Sequence, residues 1–218
     1  MEIVIADKSH SKYAEVICET IAESAAVRGT GIARRTPEYI TTKMENGNAV
    51  IALDGDKFAG FCYIEKWGHG KFVANSGLIV HEDYRKTGLA KQIKSKTFEL
   101  SRKKFPEAKI FGITTSLAVM KINSELGYKP VTFSELTEDE TFWKGCQSCS
   151  NYDILMRTDR KMCLCTGMVC DPATLSKIPK EKRGSIRWKQ FKEILSHQKT
   201  VSQLKNSVYP KINKLLNK

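Results

Sequence analysis

No stretch of the 218-residue chain approaches the roughly 18–20 consecutive apolar residues that a membrane-spanning helix needs, so no membrane role is expected. The N-terminus, MEIVIADKSH, carries an acid at position 2 and only a four-residue apolar run, and it reads as a strand and not as a signal peptide. There is no G-x-x-x-x-G-K-[ST], which excludes a Walker A phosphate loop. There is no G-x-G-x-x-G in a first strand–helix turn either, which speaks against a dinucleotide-binding Rossmann fold. Internal repeats and low-complexity segments are also missing. Seven cysteines, an odd number without a secretory signal, point to free thiols or a metal in a reducing compartment; the expected location is cytoplasmic.

What is present begins with 41% hydrophobic residues and three tryptophans, enough to bury a core. The net charge of +12 is uneven. Residues 171–218 hold 12 Lys and Arg against 3 Asp and Glu, leaving +3 for the first 170 residues. That asymmetry marks the tail as a separate module. The expected division is an enzyme-sized domain at 1–158, a Cys-containing extension at 159–170 and a basic helical tail at 171–218.

Hydrophobic periodicity and turn residues give the order of elements. EIVIA (2–6) reads as a strand, and Tyr13, Ile17, Ile21 and Ala25 share one face of a helix over 10–27. Thr36-Pro37 supplies an N-cap and first helical residue for a helix to about Glu45. Residues 49–54 and 58–67 form a hairpin, and 71–80 a further strand. A helix over 88–104, a strand over 109–115 and a helix over 117–126, C-capped by Gly127, come next. YKPVTF and NYDILMRT (151–158) read as the last strands. A middle meander must be antiparallel, while strand–helix–strand units need parallel partners. The expected fold class is therefore α/β, with a mixed, mostly antiparallel central sheet covered by helices and a helical C-terminal extension.

One short stretch carries a chemical signal. In RKTGLA (85–90) a glycine opens a helix just after two basic residues. A helix N-terminus presents unpaired N–H groups that attract phosphate, and glycine lets an anion reach the backbone. Alone, this is equally a glycine-started helix with solvated basic residues. Its context is more specific: LIVHEDYRKTGLAKQIKSKTFELSRKK, then IFGITTS, then LAVMKINSELGYKPV. This run resembles the GNAT superfamily of acyl-CoA-dependent N-acyltransferases over about residues 2–158. Arg85, Gly88 and Ala90 occupy the family's Arg/Gln-x-x-Gly-x-Gly/Ala signature, and Leu126-Gly127-Tyr128 its terminal LGY.

The resemblance implies acetyl-CoA as acyl donor. It implies that Leu78, Ile79 and Val80 flank the pantetheine, and that Arg85, Lys86, Thr87, Gly88, Leu89 and Ala90 hold the pyrophosphate. ANSG (74–77) falls where the family has a bulge that parts two strands. Ser116 stands where the family commonly has an asparagine, and can bond pantetheine or cap its helix. Asn123 stands where the family commonly has the tyrosine that protonates the leaving thiolate, and it cannot act as a Brønsted acid. The alternatives are a thiolate that leaves unassisted, water, or another acid such as Tyr152, and Glu82 replaces the family proline.

Glu65 and His69 are the candidate bases, each equally readable as a solvated strand or turn residue. His81 is expected to support the loop and His10 to cap the first helix. The family resemblance puts the loop between the first two helices beside the acceptor. Arg28, Arg34 and Arg35 there would match a carboxylate by bidentate geometry, unless they are simply solvated. GTGIARRTPEY, FAGFCYIEKWGHGKFVANSGLIVH and FWKGCQSC further resemble short, N-acetylglutamate synthase-like members associated with arginine biosynthesis, which are thought to acylate the α-amine of glutamate. The resemblance thus implies a small-molecule amine acceptor, favoured an acidic amino acid; a homo-oligomer is expected separately, since an apolar stripe in the tail packs on its own domain or on a dimer mate. The rival is a catalytically weak GNAT-fold module that binds CoA, or a nucleic acid or other partner through the tail; nucleic acid is not the expected partner.

Cys146, Cys149, Cys163 and Cys165 pose a metal question, since tetrahedral thiolate zinc needs four sulfurs at about 2.3 Å from one ion. If 151–158 and 161–168 form a hairpin, Cys149 lies about seven residues, roughly 20 Å, from Cys163's partner. That register separates the pairs, so no metal is expected. In the tail, Trp188, Phe191 and Leu195 form an apolar stripe with lysines opposite, and Pro210 breaks or kinks the segment VSQLKNSVYPKINKLL.

Overall fold

The computed structural model describes residues 1–28 and 34–176, the side chains of Arg28, Leu175 and Ser176 excepted. One compact unit spans Met1–Pro172, and a second begins at Ala173. The amphipathic stripe around Trp188 and the kink at Pro210 lie outside the described residues.

Seven strands form one sheet in the order β1-β2-β3-β4-β5-β7-β6. They are β1 Glu2–Ile5, β2 Ala49–Asp54, β3 Lys57–Trp67, β4 Phe72–Val80, β5 Lys109–Thr114, β6 Lys129–Val131 and β7 Thr166–Cys170. Every neighbouring pair is antiparallel except β4 and β5. That single parallel pair needs a crossover, and the helix α3 (Leu89–Lys104) supplies it.

Helices cover both faces, which is why β2 is buried along Ala49–Leu53 instead of alternating. Against one face lie α1 (Ala14–Arg28) and α2 (Pro37–Glu45), whose Ile17, Ile21, Ile40 and Met44 pack on Ile51 and Phe61. On the other face Leu89, Ile93 and Leu100 of α3 meet Val50, Ala52 and Ile64. Each fully buried aliphatic side chain of this kind contributes about 1.5–3 kcal/mol. A third cluster gathers Phe111, Phe133, Trp143, Leu155 and Val169 at the β5–β7–β6 end.

Local signals set the helix starts. Thr36 caps α2 by accepting from Tyr39 N at 3.3 Å, and Pro37 is its first residue. Before α1, a 3-10 segment Lys8–Tyr13 is closed by a capping box: the Asp7 side chain accepts from Ser9 N, and His10 Nδ1 accepts from Asp7 N, so His10 does cap that region. Ser116 caps α4 (Leu117–Glu125) through Val119 N.

One element differs from expectation. Residues 151–158 do not form a strand; Tyr152–Arg157 is a short helix, α6, preceded by α5 (Glu140–Lys144). Only Leu155 of α6 is fully buried, so its alternation of apolar and polar residues reports no sheet face. The strand that completes the sheet is β7, inserted between β5 and β6. Pro172–Ser176 forms a further short helix, α7.

Candidate active site

The parting of two strands makes the site. Along β3 and β4 the register runs Gly60 to Val80 and Phe61 to Ile79, then jumps to Tyr63 opposite Ser76. Gly77 and Leu78 thus face Cys62 alone, a bulge in β4 where ANSG ends. Gly77 has φ +64, and a Cβ there would stand 2.6 Å from Tyr63 Cε1. Only glycine fits. Alongside the bulge the sheet opens: β4 pairs with β5 only through Phe72–Ala74, although both strands continue past that point.

A cavity of ≈ 530 Å³ occupies the gap. Asn75–Leu78 and Gly112–Thr114 form its two edges, and their backbone groups are released from the β4–β5 ladder. The size suits a small-molecule ligand, for which pockets of about 300–1,000 Å³ are usual.

Below the end of β4, α3 begins at Gly88, in the left-handed region at φ +86 and with no side-chain cap. Its first N–H groups therefore lack intrahelical acceptors. Lys86 also has positive φ, at 66°, so the loop is curled before the helix starts. Thr87 Oγ1 fixes the curl by donating to Tyr84 O at 2.7 Å. Arg85 turns inward: Nε donates to Val80 O at 3.3 Å and Nη2 to Ser24 Oγ at 3.2 Å, tying the strand end to α1. Its guanidinium builds the loop before it can reach an anion. Of the other residues expected at the coenzyme, Leu78 and Ser116 line the cavity, whereas Ile79 and Val80 are buried in the sheet. Leu89 is buried beneath the loop, and Ala90 packs against the same cluster. His81 stands at the start of the loop, its Nδ1 3.5 Å from Asp83 Oδ2.

At the acceptor end, Arg34, Arg35, Tyr39 and Glu65 line the same cavity. Arg35 Nε donates to Tyr63 Oη at 2.7 Å and Nη1 to Arg34 O at 3.0 Å. Its guanidinium lies over the Tyr39 ring, 5.2 Å from the centroid. Glu65 is pinned from α2 on both oxygens, accepting from Tyr39 Oη at 2.5 Å and from Lys43 Nζ. Burial, with Tyr63 and Glu65 adding to it, pushes the Tyr39 phenol far above its ordinary range, so it remains a donor. Glu65 is thus engaged as an anchor of this wall. His69 is not brought in; it sits in the Gly68–Gly70 turn at φ +55 and does not line the cavity. Arg28's side chain lies outside the described residues.

Asn123 is buried on α4 and does line the cavity, its Nδ2 reaching Met168 Sδ at 3.6 Å. Tyr152 lines it too, from α6. Tyr128 of the LGY ending is committed elsewhere, donating to Asn75 Oδ1 at 2.9 Å, while Asn75 Nδ2 donates to Ser101 Oγ at 2.7 Å.

The cysteines correct the register argument. With α6 in place of the expected strand, no hairpin separates the pairs, and Cys146, Cys149, Cys163 and Cys165 all line the cavity. Among the described residues, however, no group of three or more His, Cys, Asp or Glu side chains is disposed to hold a metal ion. Burial, reinforced by the neighbouring thiols, pushes Cys146 up to about 11 and Cys165 up to about 12. Both stay protonated thiols at neutral pH.

Sequence reasoning passed over Tyr39, Lys43 and Tyr63. The signal was available: Tyr39 and Lys43 are four apart on α2, and Tyr63 and Glu65 two apart on β3, so each pair shares a face. Lys94, buried on α3 and also lining the cavity, was passed over as well. Nothing in the sequence separates it from the other lysines of that helix.

Solved structures with the same fold include N-acetylglutamate synthase from Neisseria gonorrhoeae, complexed with coenzyme A and N-acetyl-glutamate, at 16% identity and TM-score 0.57. The match covers 78% of this chain and 34% of the synthase, so the chain spans about a third of that protein's length. The Mycobacterium tuberculosis protein Rv2747, in complex with CoA, matches at 12% identity and TM-score 0.56 over 78% of this chain and 99% of its own. A phosphinothricin acetyltransferase from Sinorhizobium meliloti, in complex with acetyl-CoA, matches at 14% identity and TM-score 0.53, covering 78% and 87%. Comparison with curated protein sequences finds no match. Residues 20–115, which run from α1 through the bulge and the Gly88 loop to the end of β5, match the Acetyltransferase (GNAT) family.

Proposed function

We propose that the protein is an N-acyltransferase that moves an acetyl group from acetyl-CoA to the amine of a small acidic amino acid, glutamate first. The observation that carries this reading is one cavity joining the parted β4 and β5 edges to the Arg35 guanidinium. The pantetheine arm would lie along Asn75–Leu78, with its pyrophosphate on the N–H groups at Gly88. The acceptor carboxylate would meet Arg35, already oriented by Tyr63, with Arg34 beside it. Its amine then attacks the thioester carbon, a reaction served chiefly by positioning. The neighbours complexed with CoA and, in one case, N-acetyl-glutamate support both halves of the reading. A role in arginine biosynthesis and a homo-oligomeric state belong to the same proposal. Among the described residues no helix is long and apolar enough to cross a membrane.

The test is CoA release from acetyl-CoA, screened across amino acids and polyamines. Turnover confined to amines bearing carboxylates is expected, and turnover with polyamines alone would reject the acceptor assignment. The rival, a catalytically weak CoA-binding module, draws on Asn123 in the place of a proton donor. It predicts CoA binding without turnover on any amine.

A further inference from the structure

Lys94 is 2% exposed, and among the described residues it forms no ion pair with a carboxylate. Its Nζ lies 5.3 Å from the centre of the Tyr128 ring. Titratable groups facing it from the packed elements are Cys62 on β3 and Tyr128, just beyond α4. Burial holds its ammonium down at about 8, with Cys62 pulling weakly the other way. A leucine or methionine would fill this volume without desolvating a charge, and uncompensated buried charges are rare for that reason. The side chain nevertheless lines the cavity, as do Asn75, Gly77 and Asn123.

The position where the family commonly has a proton donor holds Asn123, and the ionisable side chains that line the cavity include Tyr152 and Lys94. Asn123 cannot give a proton to a thiolate. Tyr128 donates to Asn75 and burial pushes its phenol well above the ordinary range. An ammonium whose acidity lies near that of an ordinary thiol is matched to a thiolate leaving group.

We propose that Lys94 is the general acid of the transfer, donating a proton to the sulfur of CoA as the C–S bond breaks. This rests on the acyltransferase reading above. The neutral acceptor amine forms the C–N bond, the carbonyl carbon releases its sulfur with the bonding electrons, and Lys94 Nζ–H supplies that sulfur's proton. The acceptor nitrogen sheds its surplus proton to water, and Lys94 recovers one from water in the cavity. Product amide and CoA thiol leave with no net change in the enzyme.

The experiment uses the full chain with acetyl-CoA and glutamate, plus any better acceptor found in the screen. Wild type, Lys94→Met and Lys94→Arg are compared for kcat, acetyl-CoA KM, CoA affinity and the pH profile of kcat. In the wild type kcat should fall above about pH 8, where Lys94 loses its proton. Lys94→Met should lower kcat by about 100-fold or more, leave CoA affinity within about threefold, and abolish that alkaline limb. Lys94→Arg keeps the charge but holds its proton, and should remain slow. The assignment is overturned by a wild-type kcat that climbs unbroken to about pH 9.5, which needs no variant to fold. It is also overturned by a Lys94→Met enzyme of near wild-type kcat, or by full activity in Lys94→Arg. A wild type that binds CoA and transfers to no amine ends the acyltransferase reading itself; an active wild type indifferent to Lys94→Met ends only the role of Lys94.

Discussion

Arg35 Nε donates to Tyr63 Oη at 2.7 Å, and that bond aims a guanidinium from the α1–α2 loop into the cavity. Tyr63 is held in turn, because its ring fills the space that a side chain on Gly77 would take. One tyrosine thus couples the bulge that opens the coenzyme gap to the residue assigned to the acceptor. Arg35→Met should raise the acceptor KM by about 10- to 100-fold, the loss of a charge-assisted hydrogen bond of about 1.5–3 kcal/mol. The KM for acetyl-CoA should hardly move. Equal losses for both substrates would place Arg35 in the framework instead.

Gly77→Ala meets two penalties, a Cβ 2.6 Å from Tyr63 Cε1 and φ at +64. Together they should destabilise the fold by about 1–3 kcal/mol. Urea melts should show a lower midpoint at unchanged slope. Unchanged stability would mean that the bulge relaxes freely, against the close fit described above.

Gly88→Ala is a cleaner probe of the anion seat. Its Cβ would meet no protein atom within 4 Å, so the fold should bear only the left-handed strain of about 1–2 kcal/mol. Gly55→Ala, at φ +59 in the β2–β3 turn and equally open, is the matched control. Calorimetric titration with CoA should show at least about tenfold weaker binding for Gly88→Ala, and no change for Gly55→Ala, if phosphate packs on that backbone. Equal CoA affinity in both variants would remove the phosphate from Gly88.

Lys94 also makes stability depend on pH. Its folded value, about 8, lies below the ordinary 10.5, so the unfolded chain binds more protons between those limits. Stability therefore rises with pH through that window, and the full penalty of about 3 kcal/mol applies below it. Lys94→Met should melt higher than wild type at about pH 7, with the gap closing between about 8 and 10.5. A constant gap across that range would show that Lys94 is not desolvated.

Much of the sheet was legible because local signals coincide with its edges. Thr36-Pro37 marks the start of α2, Gly127 the end of α4, and the ANSG segment the bulge. The C-terminal part was not, because NYDILMRT carries a strand-like alternation in a helix with little burial, while the sheet takes β7 from beyond it. That displacement also misplaced the cysteines, which meet at one wall through a turn no periodicity announces. The coenzyme loop was legible as a motif, but the inward turn of Arg85 depends on Ser24, sixty-one residues away. Lys94 was invisible for the same reason: burial is a tertiary property, and a lysine in KQIKSK looks solvated until β4 and β5 part beside it.

The most direct test of the account is the ratio of kcat/KM for glutamate over glutamine, with acetyl-CoA as donor, in wild type and Arg35→Met. The two acceptors share a shape and an α-carboxylate, and differ in that glutamine replaces the side-chain carboxylate by a neutral amide. The account predicts a wild-type preference for glutamate of at least about tenfold that collapses towards unity in the variant. Equal rates for the two acceptors in wild type, or a preference for glutamate untouched by Arg35→Met, would contradict it.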